Sequence, residues 1–301
     1  MSTLDSLVAA GVVAENVPLG PFTTYKAGGP ARFMTEVSDM PALRELVSSA
    51  AATDHPVLVL GRGSNLVVAD AGFDGLVVRL GPGFSKIEVA GMRVRAGGSA
   101  PLAHVARSSV DAGLSGLEFF IGVPGSVGGA VRQNAGCFGT ETRDRLVLAS
   151  LVELRGGGSR EAGPDDLEMA YRHSNVLPTE VVIEAVFEGV PGDHESGHAE
   201  LRRITRWRRD NQPGGTFNAG SVFKNPPGST AGEIIDSLGL KGMRVGDVSV
   251  SNKHANFFVA GPGATSAEIR SLVDLVKDRV FEKTGTMLDT EIQFVGFEDD
   301  H

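Results

Sequence analysis

The chain has 301 residues, 41% of them hydrophobic and 22% charged, which is enough for a well-buried core and for two or three domains rather than one. A net charge of −9 excludes a general nucleic-acid binder, and a single cysteine excludes both an internal disulfide and a multi-cysteine metal site, as expected of a reducing compartment. No run approaches the roughly 18 apolar residues of a membrane span, and no basic-then-apolar leader opens the chain, so the expected location is the cytoplasm.

Forty of the 301 residues are glycine. That share is about twice the average of about 7%, without the period of collagen or the polarity of a disordered tract, and it predicts turns and close ligand approaches.

Short apolar runs alternate with amphipathic stretches, the pattern of a mixed α and β protein. Ser38-Asp39 followed by Pro41 predicts a helix carrying Leu43, Leu46 and Val47 on one side, and VLVL at 57–60 reads as a buried strand. Strands follow at 76–80, 86–90 and 92–96, the last two turned into a hairpin by Gly91, and then a helix from Pro101 to about Ala112. After a glycine-rich region at 113–139 come strands at 147–154 and 180–187, and GVPGDHESGH at 189–198 reads as a linker. Leu201, Ile204 and Trp207 form a helical stripe that leaves the arginines of RRITRWRR on the outer face, as a solvated surface or an anion site. The last third predicts helices near 231–238 and 265–282 and strands at 255–260 and 289–296.

GRGSN, Gly61 to Asn65, directly follows a strand, as a phosphate-binding turn would. It is no Rossmann fingerprint, since Leu66 holds the third glycine's position, and no Gly-Lys-Ser/Thr follows to make a Walker loop. The second glycine region is too apolar for a linker, and its Gln133 and Asn134 need either internal partners or a bound polar ligand. His194-Glu195-Ser196-Gly197-His198 matches H-E-x-x-H, but Pro191, Gly192 and Gly197 oppose the helix that zinc chemistry requires, so no metal site is expected.

Ser221 follows an Asn-Ala-Gly turn and precedes Val-Phe-Lys-Asn-Pro. Its hydroxyl either caps that turn or does chemistry. A hydrolase nucleophile elbow would need glycine at 223, where phenylalanine stands.

Taken in order, TTYKAGGPA (23–31), GRGSNLVVAD (61–70), GLEFFIGVPGSVGGAVRQNAG (116–136), YRHS (171–174), NAGSVFKNP (218–226), GLKGMRVGDVSVSNKHANF (239–257) and LDTEIQFVG (288–296) resemble the MurB family of UDP-N-acetylenolpyruvoylglucosamine reductases. The likeness runs from about Val17 to Gly296, and no tyrosine lies between Arg172 and Ser221, so the chain resembles the shorter type that lacks a tyrosine-bearing insertion.

The resemblance implies an α+β fold: a two-subdomain FAD-binding unit of the vanillyl-alcohol-oxidase (PCMH) type at 1–80 and 81–190, then a smaller α+β substrate domain at 191–301. It implies non-covalent FAD, NADPH as hydride donor and a UDP-sugar substrate, in a monomer without nucleic-acid or membrane partners.

The FAD contacts implied are Gly61, Arg62, Gly63, Ser64, Asn65 and Leu66 at the pyrophosphate, with Gly97, Pro124, Gly125, Ser126, Gly128, Gln133, Asn134 and Ala135 around the flavin. Arg172, Ser221 and Glu291 match the family's catalytic residues, and Tyr171, Lys224, Asn225 and His254 are the implied substrate contacts. Arg62 and Ala260 depart from the glycine and asparagine usual at those places. A flavin oxidase of the same fold and a catalytically silent paralogue are the alternatives; the Arg172, Ser221 and Glu291 set favours the reductase.

Overall fold

The computed structural model describes residues 3–50, 54–156 and 158–298. The chain divides into two compact units, one made of Met1–Glu15, Phe33–Arg62 and Gly75–Trp207, the other of Asn16–Arg32, Gly63–Asp74 and Arg208–His301. These units interleave along the sequence.

In the first unit a five-stranded antiparallel sheet has the order Ser159–Ala162, Leu146–Glu153, Glu180–Glu188, Arg93–Gly97, Ile87–Ala90. Its two longest strands are apolar at most positions because both of their faces are covered. Ala149, Leu151, Val182 and Phe187 cluster with Leu102, Val105 and Val110 of the helix Leu102–Asp111, with Val127 and Val131 of the helix Val127–Gln133, and with Phe119 and Phe120. Val152, Leu154 and Val181 cluster instead with Leu4, Phe33, Leu43, Leu46, Val57 and Val78. The helix expected after Asp39 runs from Met40 to Ala50, its first turn capped by the Asp39 carboxylate, which accepts the Ala42 amide at 2.9 Å. Val57–Val59 pairs in parallel with Phe73–Leu80.

The expected linker at 189–198 is corrected. Val190–Pro191 is a short strand paired with Leu114–Ser115, and a helix starts at His194 and runs to Asn211. Asp193 supplies the N-cap, its carboxylate accepting the Ser196 amide at 2.9 Å. Gly197, read as a helix breaker, is there for packing: a Cβ on it would stand 2.7 Å from Val110 Cγ1. His198 Nε2 faces Asp111 at 3.2 Å, and among the described residues no group of three or more His, Cys, Asp or Glu could hold a metal ion. Leu201 and Ile204 of the expected stripe are buried, whereas Trp207 is 40% exposed and stands edge-on to Phe138 with centroids 5.2 Å apart.

In the second unit the helix Ser266–Thr284 lays Ile269, Leu272, Val273, Val276 and Val280 against Val248, Val250 and Phe258 of the antiparallel strands Val248–Val250 and Phe258–Ala260. A capping box of Thr265 and Glu268 starts this helix, and left-handed Gly285 ends it. Tyr25, Val67, Val222, Phe223, Ile235 and Ile292 complete the core. The strand expected at 289–296 is realised as Gln293–Val295, which pairs in parallel with Leu66–Val68. Among the described residues no helix is long and apolar enough to cross a membrane.

Alanine is a better helix former than glycine by about 1 kcal/mol, but overpacking a tight contact costs about 1–3 kcal/mol. Gly197→Ala is therefore expected to lower the melting temperature. In a Val110→Ala background the same glycine change is expected to be neutral or stabilising, which paired melting curves check.

Candidate active site

In the second unit the corner before Ser221 is built by Asn218. Its Nδ2 donates to the Thr216 carbonyl at 3.2 Å, to Thr216 Oγ1 at 3.0 Å and to the Pro213 carbonyl at 3.2 Å, while its Oδ1 accepts the Gly220 amide at 3.1 Å. Gly220 takes φ +77°, the left-handed conformation that the turn requires. The capping role weighed for Ser221 thus falls to Asn218.

Beyond the corner, the Ser221–Lys224 segment runs between two others. Ser221 and Phe257 form an isolated bridge, the Val222 amide donates to the Asn256 carbonyl at 2.8 Å, and the Glu291 amide donates to the Val222 carbonyl at 2.8 Å. The Lys224 amide donates to the Asp289 carbonyl at 2.9 Å.

Asn256 is 3% exposed, and its carboxamide pairs with Phe223 as a peptide group would: Oδ1 accepts the Phe223 amide at 2.9 Å and Nδ2 donates to the Phe223 carbonyl at 2.8 Å. Sequence reading missed this residue, which lies in HANF two positions beyond His254. Asn225 Oδ1 accepts the Ala231 amide at 3.1 Å, at the start of the helix Ala231–Ser237.

The Gly63, Ser64 and Asn65 part of GRGSN, with Leu66 after it, belongs to this same unit. Asn65 Nδ2 donates to the Glu291 carbonyl at 3.0 Å, and the Gln293 amide donates to the Asn65 carbonyl at 2.9 Å. Ser221, Lys224, Glu291 and Asn65 are thus drawn together on adjoining stretches of backbone. The Gly63 carbonyl accepts the Thr24 amide at 3.0 Å, and a Cβ on Gly63 would stand 2.1 Å from the Phe22 carbonyl, so only glycine fits. Tyr25 and Ala219 share one apolar cluster, and burial raises the Tyr25 hydroxyl above its ordinary pKa.

His254 Nδ1 accepts the Asn256 amide at 3.3 Å, so the neutral ring carries its proton on Nε2. Burial, with the Lys241 charge second, holds its pKa below the ordinary 6.5.

In the first unit Gly61 meets the second glycine region: a Cβ on Gly61 would stand 2.9 Å from Ser126 Oγ. Arg62 and Pro124 are exposed. The Gly125 carbonyl accepts the Leu102 amide at 3.2 Å, the Gly128 amide donates to the Gly98 carbonyl at 2.8 Å, and Gly97 is buried at a strand end. The Ala135 carbonyl accepts both the amide and the hydroxyl of Thr142, at 2.9 and 2.7 Å. Gln133 ends the 127–133 helix, a helix that the glycines of VGGAVRQ had hidden.

The Asn134 side chain has protein partners, the first of the two alternatives weighed for it. Nδ2 donates to Glu141 Oε2 at 2.9 Å and to the Ala170 carbonyl at 2.8 Å, and Oδ1 accepts the Arg143 amide at 2.9 Å. Arg172, at φ +53°, donates from Nη2 to the Gly136 carbonyl at 2.9 Å and from Nη1 to Glu141 Oε1 at 3.4 Å, and its guanidinium carbon lies 4.9 Å from the Tyr171 ring centroid.

Two outcomes follow from this geometry. Asn256→Ala orphans a buried amide and a buried carbonyl of Phe223, at about 1–3 kcal/mol for each group, so chemical denaturation is expected to show a large loss of stability. For His254, the unfolded chain takes up its proton at higher pH than the native one. The native contribution is full above the ordinary value and is lost as pH falls through the depressed native value. In unfolding titrations from about pH 8 to about pH 5 the wild type is expected to lose stability relative to His254→Gln, which takes up no proton in that range.

The close approach of Gly61 to Ser126 Oγ excludes a side chain there, which fits a loop that offers its backbone amides to a diphosphate. Residues 31–158 match the family described as FAD binding domain, and residues 212–295 match the UDP-N-acetylenolpyruvoylglucosamine reductase C-terminal domain. A UDP-N-acetylenolpyruvoylglucosamine reductase of Azorhizobium caulinodans is 40% identical over 286 residues, 95% of this chain and 92% of that protein. One from Sphingopyxis alaskensis is 41% identical over 298 residues, 98% of this chain and 99% of that protein. The crystal structure of the Thermus caldophilus reductase superposes with a TM-score of 0.81 at 34% identity, covering 93% of this chain and 98% of that one. With the fold and near full-length identity in agreement, the chain belongs to the UDP-N-acetylenolpyruvoylglucosamine reductase family.

Proposed function

We propose that this protein is an FAD-dependent, NADPH-consuming reductase that converts UDP-N-acetylenolpyruvoylglucosamine to UDP-N-acetylmuramate, acting as a cytoplasmic monomer in peptidoglycan precursor synthesis. The observation that carries the reading is the backbone pairing of the Ser221 and Glu291 segments, with the corner before Ser221 held by another residue, in a chain that matches reductases of this name over 95% of its length.

GRGSN would hold the FAD pyrophosphate, and the 125–134 segment would line the flavin. Bound FAD supplies hydride, taken from NADPH, to the terminal carbon of the enolpyruvyl ether. As that C–H bond forms, the π electrons move to the adjoining carbon and its carboxylate. Arg172 stabilises this developing enolate with fixed donors, and Glu291 hydrogen-bonds the same centre. The Ser221 hydroxyl then gives its proton to that carbon; a carbanion-like acceptor is basic enough to take it, and solvent restores the serine proton. Lys224 holds carboxylate or diphosphate charge, with Tyr171, Asn225 and His254 lining the substrate.

Ser221→Ala separates chemistry from structure. NADPH is expected to bleach the flavin at near wild-type rate, while reoxidation by the enolpyruvyl sugar nucleotide slows by about 10²–10⁴-fold. Anaerobic stopped-flow absorbance reads both halves, and equal slowing of the two would remove Ser221 from its role. Acid denaturation is expected to release all the yellow colour from the polypeptide, as a cofactor held by contacts alone requires.

A further inference from the structure

We infer that Glu141 is a positioning residue for the reductive chemistry, one that fixes the Arg172 guanidinium from the hairpin following the second glycine region; the inference rests on the role proposed above for Arg172.

The hairpin consists of Gly136–Cys137 paired with Thr140–Glu141, and it reaches Arg172 from both strands. Gly136 offers its carbonyl to Nη2 at 2.9 Å, and Glu141 offers Oε1 to Nη1 at 3.4 Å. Glu141 is itself held on other sides. Its Oε2 accepts Asn134 Nδ2 at 2.9 Å, and its amide donates to Asp144 Oδ2 at 2.8 Å at the start of the short helical turn Thr142–Asp144. The Arg172 and Glu141 side chains are 15% and 25% exposed, so solvent screens the pair only partly.

The backbone carrying Arg172 is gripped by the same elements. Asn134, fully buried and left-handed at φ +42° as the C-cap of the 127–133 helix, spans from Glu141 to the Ala170 carbonyl. Arg143, two residues beyond Glu141, donates from Nη1 to the Met169 carbonyl at 2.7 Å. Arg172 also occupies a left-handed conformation, which costs a non-glycine residue of order 1–3 kcal/mol and persists only when its surroundings over-determine it. A bond of 3.4 Å adds little stability on a partly exposed pair; its value is in limiting where the guanidinium points. Groups that stabilise developing charge must be held within about 0.5 Å of the productive geometry. Glu141 is the residue that joins the guanidinium to the buried Asn134 anchor.

The test uses the holoenzyme with four variants, Glu141→Ala, Glu141→Gln, Arg172→Ala and the Glu141→Ala/Arg172→Ala pair. Glu141→Ala is expected to slow flavin reoxidation by the enolpyruvyl substrate by about 10–100-fold, the usual reach of a supporting residue, with flavin reduction by NADPH close to wild type. Glu141→Gln keeps an acceptor for Asn134 and is expected to recover part of the loss. In the Arg172→Ala background, removal of Glu141 is expected to have no further effect on reoxidation. Calorimetric binding of UDP-N-acetylmuramate is expected to weaken far less than reoxidation slows, since the constraint matters most where charge develops.

If Arg172→Ala reoxidises normally, the role of Arg172 is wrong and this inference falls with it. If Arg172→Ala is slow while Glu141→Ala is normal, or if the Glu141 effect persists undiminished without Arg172, the inference alone is overturned. Should Glu141→Ala fail to fold, Glu141→Gln decides: wild-type reoxidation in a protein of unchanged melting temperature overturns the role.

Discussion

The segment that carries Ser221 depends on a buried carboxamide acting as a piece of β-strand. The Val222-Phe223 backbone lies in the core, where each amide and carbonyl must find a partner. Asn256 supplies one through its main chain to Val222, and two through its side chain to Phe223. One residue thereby presents the donor and acceptor pattern of a longer strand, while on the other side the Lys224 amide still pairs with the Asp289 carbonyl.

Asparagine recurs wherever the backbone near the proposed chemistry is irregular. Asn218 builds the corner before Ser221, Asn65 grips the Glu291 carbonyl, and Asn134 ties a helix end to the turn preceding Arg172. A short side chain with one donor group and one acceptor copies a peptide unit at low conformational cost, and it tolerates the left-handed region that Asn134 occupies. Glycine opens space in these segments, and asparagine then satisfies the polar groups left behind.

Most of the regular structure was legible because its periodicity is strong. The helix after Asp39, the strands around 150 and 184 and the long helix after Thr265 carry clean apolar patterns and caps. The misreadings share a physical cause: glycine was taken as a breaker where it serves close packing. VGGAVRQ is a helix pressed on a strand end, and HESGH is a helix because Gly197 meets Val110. In the candidate site the residues proposed for the chemistry come from motif resemblance, whereas the residues that hold their backbone carry no mark in the local sequence. Nothing in the local sequence distinguishes an asparagine or glutamate that satisfies a distant backbone from one that waits for a ligand, because the partners of Asn134 and Asn256 are set only by the tertiary fold.

The interleaving of the two units has a consequence for how the protein comes into being. The chain passes from one unit to the other after residues 15, 32, 62, 74 and 207. Asn65 meets Glu291 across 226 positions of sequence, and the Leu66–Val68 strand has Gln293–Val295 as its parallel neighbour. During synthesis from the N-terminus, the loop that begins at Gly61 must wait, with an unpaired strand edge behind it, until residues 291–295 leave the ribosome. A truncation before residue 291 therefore removes the partner of a loop more than two hundred residues earlier in the chain.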